Sequence, residues 1–111
     1  MKLFIPKVPP SLNTVLRQHW SGRGKERDQW RRLLRAKYNG EGPFSRVKIT
    51  RICPSRGLDP DNLAGGCKML VDAMTREGYI TDDDALSVKI EYAQKRPETG
   101  QEKGVVLEFW K

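Results

Sequence analysis

The spacing of apolar residues along the chain predicts four β-strands. Residues 2–5 are a short apolar run that ends at Pro6, and residues 44–53 are rich in β-branched side chains. Apolar and polar positions alternate in the last third of the chain, at Leu86, Val88, Ile90 and Tyr92 and again at Val105, Leu107 and Phe109. Alternation indicates strands with one buried face, and we expect these last two strands to pair as a hairpin.

Two segments have helical rather than alternating periodicity. Asp28 is placed to cap a helix that runs to about Tyr38, and a second helix is predicted from about Asp61 to Glu77, where Gly78 ends it. Spacings of three and four residues predict the buried positions. These are Trp30, Leu33, Leu34 and Tyr38 in the first helix, and Leu63, Cys67, Leu70, Val71 and Met74 in the second.

The resulting order, β-α-β-α-β-β, predicts an α+β fold with two helices packed on a small mixed sheet. The 111 residues suit one domain that covers positions 1–111. Residues 7–27 lack clear periodicity and are expected to form a long loop. Its basic side chains and Trp20 suit a segment that follows a phosphate backbone, although a solvated loop explains the composition equally well.

The net charge of the chain indicates a class of binding partner. The chain carries 21 Lys and Arg against 14 Asp and Glu, which gives a formal charge of +7. Such a surface suits a polyanion, and solubility alone is the competing explanation. Basic residues dominate from Arg17 to Lys37, whereas the acids gather between Asp59 and Asp84. This separation predicts a basic surface around an acidic pocket.

Other classes of function are disfavoured. The two cysteines, Cys53 and Cys67, form no CxxC pair, and His19 is the single histidine, which argues against a zinc site. No apolar run has the length of a signal peptide or a membrane span, so we expect a cytoplasmic protein with reduced thiols and no membrane partner.

The acidic cluster is the candidate site. Asp59 and Asp61 stand at the start of the second helix, and Asp82, Asp83 and Asp84 precede the next strand. A continuous helix would place Gly65, Lys68 and Asp72 on the face of Asp61. As an alternative, Asp59 or Asp61 is only a helix cap, with Pro60 in the first turn, and Lys68 pairs with Asp72 on the surface.

Carboxylates brought together need a cation. Two unit charges about 4 Å apart repel by about 4 kcal/mol at an effective dielectric constant of 20. Mg²⁺ prefers oxygen ligands and commonly retains waters and a substrate phosphate, so an acidic pocket within a basic surface suits DNA cleavage. Asp83 reaches Asp59 and Asp61 only if the strand returns antiparallel along the helix, or if the Asp59 loop leans across.

The segment from Gly57 to Asp84 resembles the RusA family of Holliday junction resolvases. The resemblance rests on DPDN, on Lys-x-x-x-Asp in KMLVD and on G-x-x-x-DD in GYITDD, with PPSLN and His19 nearer the N-terminus. It spans nearly the whole chain in order. It implies a small homodimeric endonuclease of the type found in phages and prophages, acting on four-way junctions and other branched DNA in recombination and repair.

The resemblance also implies roles for individual residues. Asp59, Asp61 and Asp83 would bind Mg²⁺, with Mn²⁺ as an alternative, and Lys68 would assist catalysis. Asp82 and Asp84 compete with Asp83 for its role. We expect the DNA backbone to be held by Arg17, His19, Arg23, Lys25 and Arg56.

This sequence departs from the family pattern at Lys68. Family members place the lysine three residues after the asparagine, whereas LAGGC puts Lys68 six residues after Asn62. Gly65 and Gly66 could bend or delay the helix. A basic residue often precedes the first aspartate in the family, but Leu58 stands there and Arg56 is the nearest cation. The rival functions are therefore a less selective nuclease on flaps or branches and a DNA-binding module that has lost catalysis.

Overall fold

The structure, a computed structural model, describes residues 1–81 and 87–111. It confirms the α+β class and the mixed sheet, but the described residues form four helices rather than two. The strands are β1 (Lys2–Ile5), β2 (Arg46–Ile52), β3 (Lys89–Lys95) and β4 (Gly104–Trp110). The helices are α1 (Leu12–Arg17), α2 (Trp20–Lys37), α3 (Pro60–Gly66) and α4 (Lys68–Arg76).

The strand order in the sheet is β1-β4-β2-β3. Strand β4 runs antiparallel to both β1 and β2, and β3 runs parallel to β2. The predicted hairpin between the last two strands is therefore wrong. The chain crosses from β3 past β2 before β4 pairs, which places β4 in the middle of the sheet. This position suits β4, since Val105, Leu107 and Phe109 are almost fully buried.

The loop predicted over residues 7–27 is also wrong, because α1 and the first half of α2 occupy much of it. Ser11 caps α1 and His19 caps α2, so the cap predicted at Asp28 lies inside a helix. Gly22 and Gly24 weaken the helical signal in the sequence. Arg23 compensates by donating from Nε to Val15 O at 3.0 Å and from Nη2 to Leu16 O at 3.3 Å, which ties α2 to α1.

The core lies between one face of the sheet and helices α2 and α4. Trp30 and Leu34 from α2 and Leu70 and Met74 from α4 are fully buried, as their periodicity predicted. Tyr79 closes this core, and its hydroxyl donates to Leu34 O at 2.7 Å. Both cysteines are free thiols, and burial raises the pKa of Cys67 to about 12, which makes that thiol unreactive.

The second predicted helix is divided in two at Cys67. Its backbone, at φ −88° and ψ 0°, separates α3 from α4. The two glycines before it permit close packing on the N-terminal segment. A Cβ on Gly65 would meet Leu12 at 2.8 Å, and one on Gly66 would meet Pro10 O at 1.7 Å. Gly65 therefore faces α1, so it does not belong to the polar stripe that a continuous helix predicted.

Glu77 joins α2 to the end of α4. Its side chain is 7% exposed, and it accepts from Arg35 Nε at 2.8 Å and Arg31 Nε at 2.9 Å. The hydrogen bond from Arg35 is the largest of the interactions that lower the pKa of Glu77 to about 2. Because the pKa in the folded state lies below the ordinary value near 4.5, the ionised carboxylate stabilises the fold above that pH.

We expect Glu77→Gln to lower the free energy of unfolding by about 1–2 kcal/mol at pH 7, since charged hydrogen bonds are lost. Wild type loses the same stabilisation as the pH falls from about 4.5 towards 2. Urea unfolding at several pH values should therefore show the two proteins converging in acid, with Glu102→Gln, an exposed glutamate, as the control. A difference that is as large at pH 2 as at pH 7 would contradict the assignment.

Candidate metal and nucleic-acid site

The candidate site lies where two parallel strands end. Strands β2 and β3 are neighbours, and the chain between them passes through α3 and α4. Their carboxyl ends therefore meet at one edge of the sheet, the position at which open α/β sheets commonly bind ligands. Cys53 N donates to Lys95 O at 3.1 Å, which extends the pairing past the end of β2. The loop that follows leads directly to Asp59.

Asp59 is the N-cap of α3, with Pro60 in the first turn, so the cap interpretation of this residue is confirmed. Its Oδ1 accepts from the Asn62 backbone N–H at 2.9 Å, and its Oδ2 accepts from Asn62 Nδ2 at 2.8 Å. These two hydrogen bonds, the backbone one first, lower the pKa of Asp59 and keep it ionised at neutral pH. Capping uses one lone pair on each oxygen and leaves the others available to a cation.

Asn62 fixes the position of this helix start. Its Oδ1 accepts from the Asn13 backbone N–H at 3.2 Å, so a single side chain connects α1 to Asp59. The DPDN sequence thus has a structural reason for both its first aspartate and its asparagine. Asp61 has neither role. It is exposed in the first turn of α3.

Asp61 lines an open cleft of about 570 Å³ between α3 and β3, here called the Asp61 cleft. Leu58, Leu63 and Ala64 line it on the side of Asp61. Tyr92, Ala93 and Gln94 line it from β3. The carboxylate is therefore beside a concave surface rather than on a convex helix face.

Gln94 holds the loop before Asp59 against β3. Its Oε1 accepts from Leu58 N at 2.8 Å, and its Nε2 donates to Leu58 O at 2.6 Å. This pair of bonds replaces the strand partner that Leu58 lacks and fixes the backbone one residue before Asp59. Gln94 therefore positions the loop that carries the candidate ligands.

A second cleft, of about 200 Å³, lies on the other side of Gln94 and is here called the basic cleft. Arg51, Lys95 and Arg96 supply its charges, and Cys53, Ser55 and Gly57 from the loop complete its lining. Gln94 lines both clefts. No local sequence pattern indicated this role for Gln94 or for the three cations. Arg51 and Gln94 are far apart in the chain and become neighbours only through the register of β2 and β3.

Lys68 begins α4, on the far side of the break at Cys67 from Asp61. Its Nζ lies 3.5 Å from Asp72 Oδ1. This is the surface ion pair between positions i and i+4 that the sequence offered as the alternative to a catalytic role. Both Lys68 and Asp61 are exposed to solvent. The predicted catalytic role of Lys68 is not tested by this pairing.

The remaining predicted ligand, Asp83, lies outside the described residues, as do its competitors Asp82 and Asp84. Within residues 1–81 and 87–111, no group of three or more acids, histidines or cysteines is close enough to hold a metal ion. In the described part of the chain, Asp59 and Asp61 thus supply two carboxylates and not a complete set of metal ligands.

The five residues predicted to hold DNA have different surroundings. Arg17, Lys25 and Arg56 are exposed, whereas Arg23 is partly buried and makes the structural contacts to α1 described above. His19 caps α2 by accepting from Ser21 N at 3.3 Å, and its ring lies 5.3 Å from that of Trp20. Arg56 lies in the loop between β2 and α3, close in sequence to the basic cleft. Arg23 therefore has a structural role in the fold, and its contact with DNA stays a prediction.

Comparison with known proteins finds no family model and no curated protein that matches this chain. In the part of the chain that the structure describes, no helix has the length and apolar character needed to cross a membrane.

Proposed function

We propose that this protein is a RusA-like endonuclease that requires Mg²⁺ and cuts branched DNA, with four-way junctions as its preferred substrate. The observation that supports this proposal most is that the Asp61 cleft and the basic cleft lie next to each other, since Gln94 lines both. One cleft offers the carboxylate of Asp61 to a metal ion, two positions after Asp59, and the other offers cations to a phosphate.

The residues present suit Mg²⁺. Asp59 and Asp61 offer carboxylate oxygens two positions apart at an exposed helix start, and Mg²⁺ is commonly bound by one or two carboxylates together with water and substrate phosphate. Asp83 is the proposed third ligand. When bound, the ion would polarise the phosphoryl oxygen and lower the pKa of a coordinated water.

The protein's own residues have simpler tasks in this proposal. Asn62 holds the carboxylate of Asp59 ionised and oriented, and Gln94 holds the preceding backbone. Lys68 neutralises charge on the phosphate, as the family resemblance implies. Two copies of the chain form the active unit, because a four-way junction is resolved by two symmetric cuts.

The experiment is a cleavage assay on a labelled four-way junction, a flap and a linear duplex of shared sequence. Each substrate is incubated with Mg²⁺, with Mn²⁺, with Ca²⁺ and with EDTA. We expect cleavage in Mg²⁺ or Mn²⁺ only, fastest on the junction. Equal rates on junction and flap would instead indicate the less selective nuclease.

Binding must be measured on the same substrates, because catalysis and recognition can separate. Junction binding that weakens with salt, with no cut at any Mg²⁺ or Mn²⁺ concentration, would show a DNA-binding module and overturn the nuclease proposal.

A further inference from the structure

We propose that the basic cleft is the binding subsite for a backbone phosphate of the DNA strand, next to the phosphate that is cut. This inference rests on the proposed function for the identity of the polyanion. The sequence analysis placed DNA contacts in the N-terminal segment and at Arg56, not at the ends of β2 and β3.

Arg51 is the fixed element of this subsite. It is only 8% exposed at the end of β2, which is unusual for an arginine. Its Nε donates to Pro9 O at 2.9 Å, which sets the plane of the guanidinium. Among the described residues, its two terminal nitrogens have no hydrogen-bond partner. A planar guanidinium held in this way is suited to a phosphate, which it can bind through two parallel hydrogen bonds.

Lys95 and Arg96 add two exposed cations at the mouth of the same cleft. Among the residues that the structure describes, no carboxylate lines the cleft, so its three positive charges have no anionic neighbour in that part of its lining. Ser55 contributes a hydroxyl, a group that commonly contacts DNA phosphates. The volume of about 200 Å³ corresponds to several water molecules, which is sufficient for a phosphate group.

The basic cleft is next to the Asp61 cleft, because Gln94 lines both. A strand that passes over Gln94 would therefore have one phosphate at the cations and another near Asp61. The basic cleft would therefore set the register of the strand relative to the metal ligands. Its loss is expected to weaken binding of every DNA sequence by a similar factor.

The test compares two lysines of one strand. Lys95 and Lys89 are both exposed on β3, six residues apart, and only Lys95 lines the basic cleft. Binding of a fluorescent four-way junction is measured by anisotropy in Ca²⁺ or EDTA over a range of salt concentrations. Wild type is compared with Lys95→Ala/Arg96→Ala and with Lys89→Ala.

We expect the double variant to bind about tenfold or more weakly, and the slope of log affinity against log salt to become shallower by about 1, since about 0.9 is lost for each phosphate contact removed and the subsite holds one phosphate. Lys89→Ala should differ from wild type by less than about twofold. If the double variant binds like wild type, or if Lys89→Ala loses as much, the subsite is wrong.

A second readout separates this inference from the proposed function. Binding that depends on Lys95 and Arg96 without any cleavage in Mg²⁺ would leave the subsite intact and overturn the nuclease. Cleavage in Mg²⁺ with binding unaffected by the double substitution would support the nuclease and overturn the subsite. Absence of DNA binding by wild type would overturn the subsite.

Discussion

Replacing Asp61 by asparagine is expected to reduce junction cleavage in Mg²⁺ by at least about 100-fold while leaving junction binding intact or slightly tighter. The substitution removes a charged ligand, and changes even in the groups that support metal ligands commonly cost 10- to 100-fold. It also removes a negative charge beside the incoming phosphate. Because Asp61 is exposed and makes no cap, stability should change by less than about 0.5 kcal/mol.

Asp28→Asn is the matched control for this substitution. Asp28 is an exposed aspartate on α2, and it lines neither the Asp61 cleft nor the basic cleft. Its cleavage rate should stay within about twofold of wild type under the same conditions. If purified Asp61→Asn cuts the junction as fast as wild type, the assignment of Asp61 as a metal ligand is wrong.

Adding one methyl group at Gly66 is expected to be the most destabilising small change in the described part of the chain. A Cβ there would lie 1.7 Å from Pro10 O and 2.8 Å from Pro10 C, both backbone atoms that cannot rotate away. The N-terminal segment must move off α3, and we expect Gly66→Ala to cost about 3 kcal/mol or more, as in severe overpacking.

Two other helical glycines provide controls for which we expect different changes in the free energy of unfolding. At Gly65 the three atoms nearest the added Cβ all belong to the Leu12 side chain, whose methyl groups can shift although its Cβ cannot, so Gly65→Ala should cost clearly less than Gly66→Ala, about 1 kcal/mol. At Gly24 nothing lies within 4 Å, and Gly24→Ala should stabilise α2 by up to about 1 kcal/mol. Denaturant unfolding of the three variants checks this order. Equal stability of Gly66→Ala and Gly65→Ala would contradict the close packing.

Local patterns in the sequence predicted some of the structure well. The helical spacing of Trp30 and Leu34 identified core positions, and Asp59-Pro60 marked a helix start. These features depend on residues a few positions apart, so the sequence contains the relevant information directly. The same holds for the alternation of Val105, Leu107 and Phe109 in β4.

Other features depend on contacts between distant segments and were not predictable in this way. The first half of α2 contains Gly22 and Gly24 and is stabilised by Arg23 reaching back to α1. The break at Cys67 accompanies the approach of α3 to Pro10. A hairpin was the simplest pairing for the last two strands, but the apolar β4 is buried between β1 and β2.

The candidate site also combines residues that are close in sequence with residues that are brought together only by the fold. The sequence indicated Asp59 and Asp61 as candidates because they lie two positions apart, but Gln94 and Arg51 join the site only through the parallel pairing of β2 and β3. The sequence pattern did not indicate that the guanidinium of Arg23 holds two helices together, a contact between residues seven and eight positions apart, and its DNA contact stays a prediction. Whether Asp83 completes the site remains a prediction from the sequence.

The central claim is that Asp59 and Asp61 hold a divalent ion. Backbone amide spectra of ¹⁵N-labelled protein titrated with small amounts of Mn²⁺ test it without reference to activity, because the paramagnetic ion broadens signals near its site. We predict selective broadening of the amide signals of Asp59, Asp61, Asn62 and Asp83, loss of this broadening in Asp61→Asn, and no such effect around Asp28. Broadening that spares the amides of Asp59, Asp61 and Asn62, or that is unchanged in Asp61→Asn, would contradict this claim.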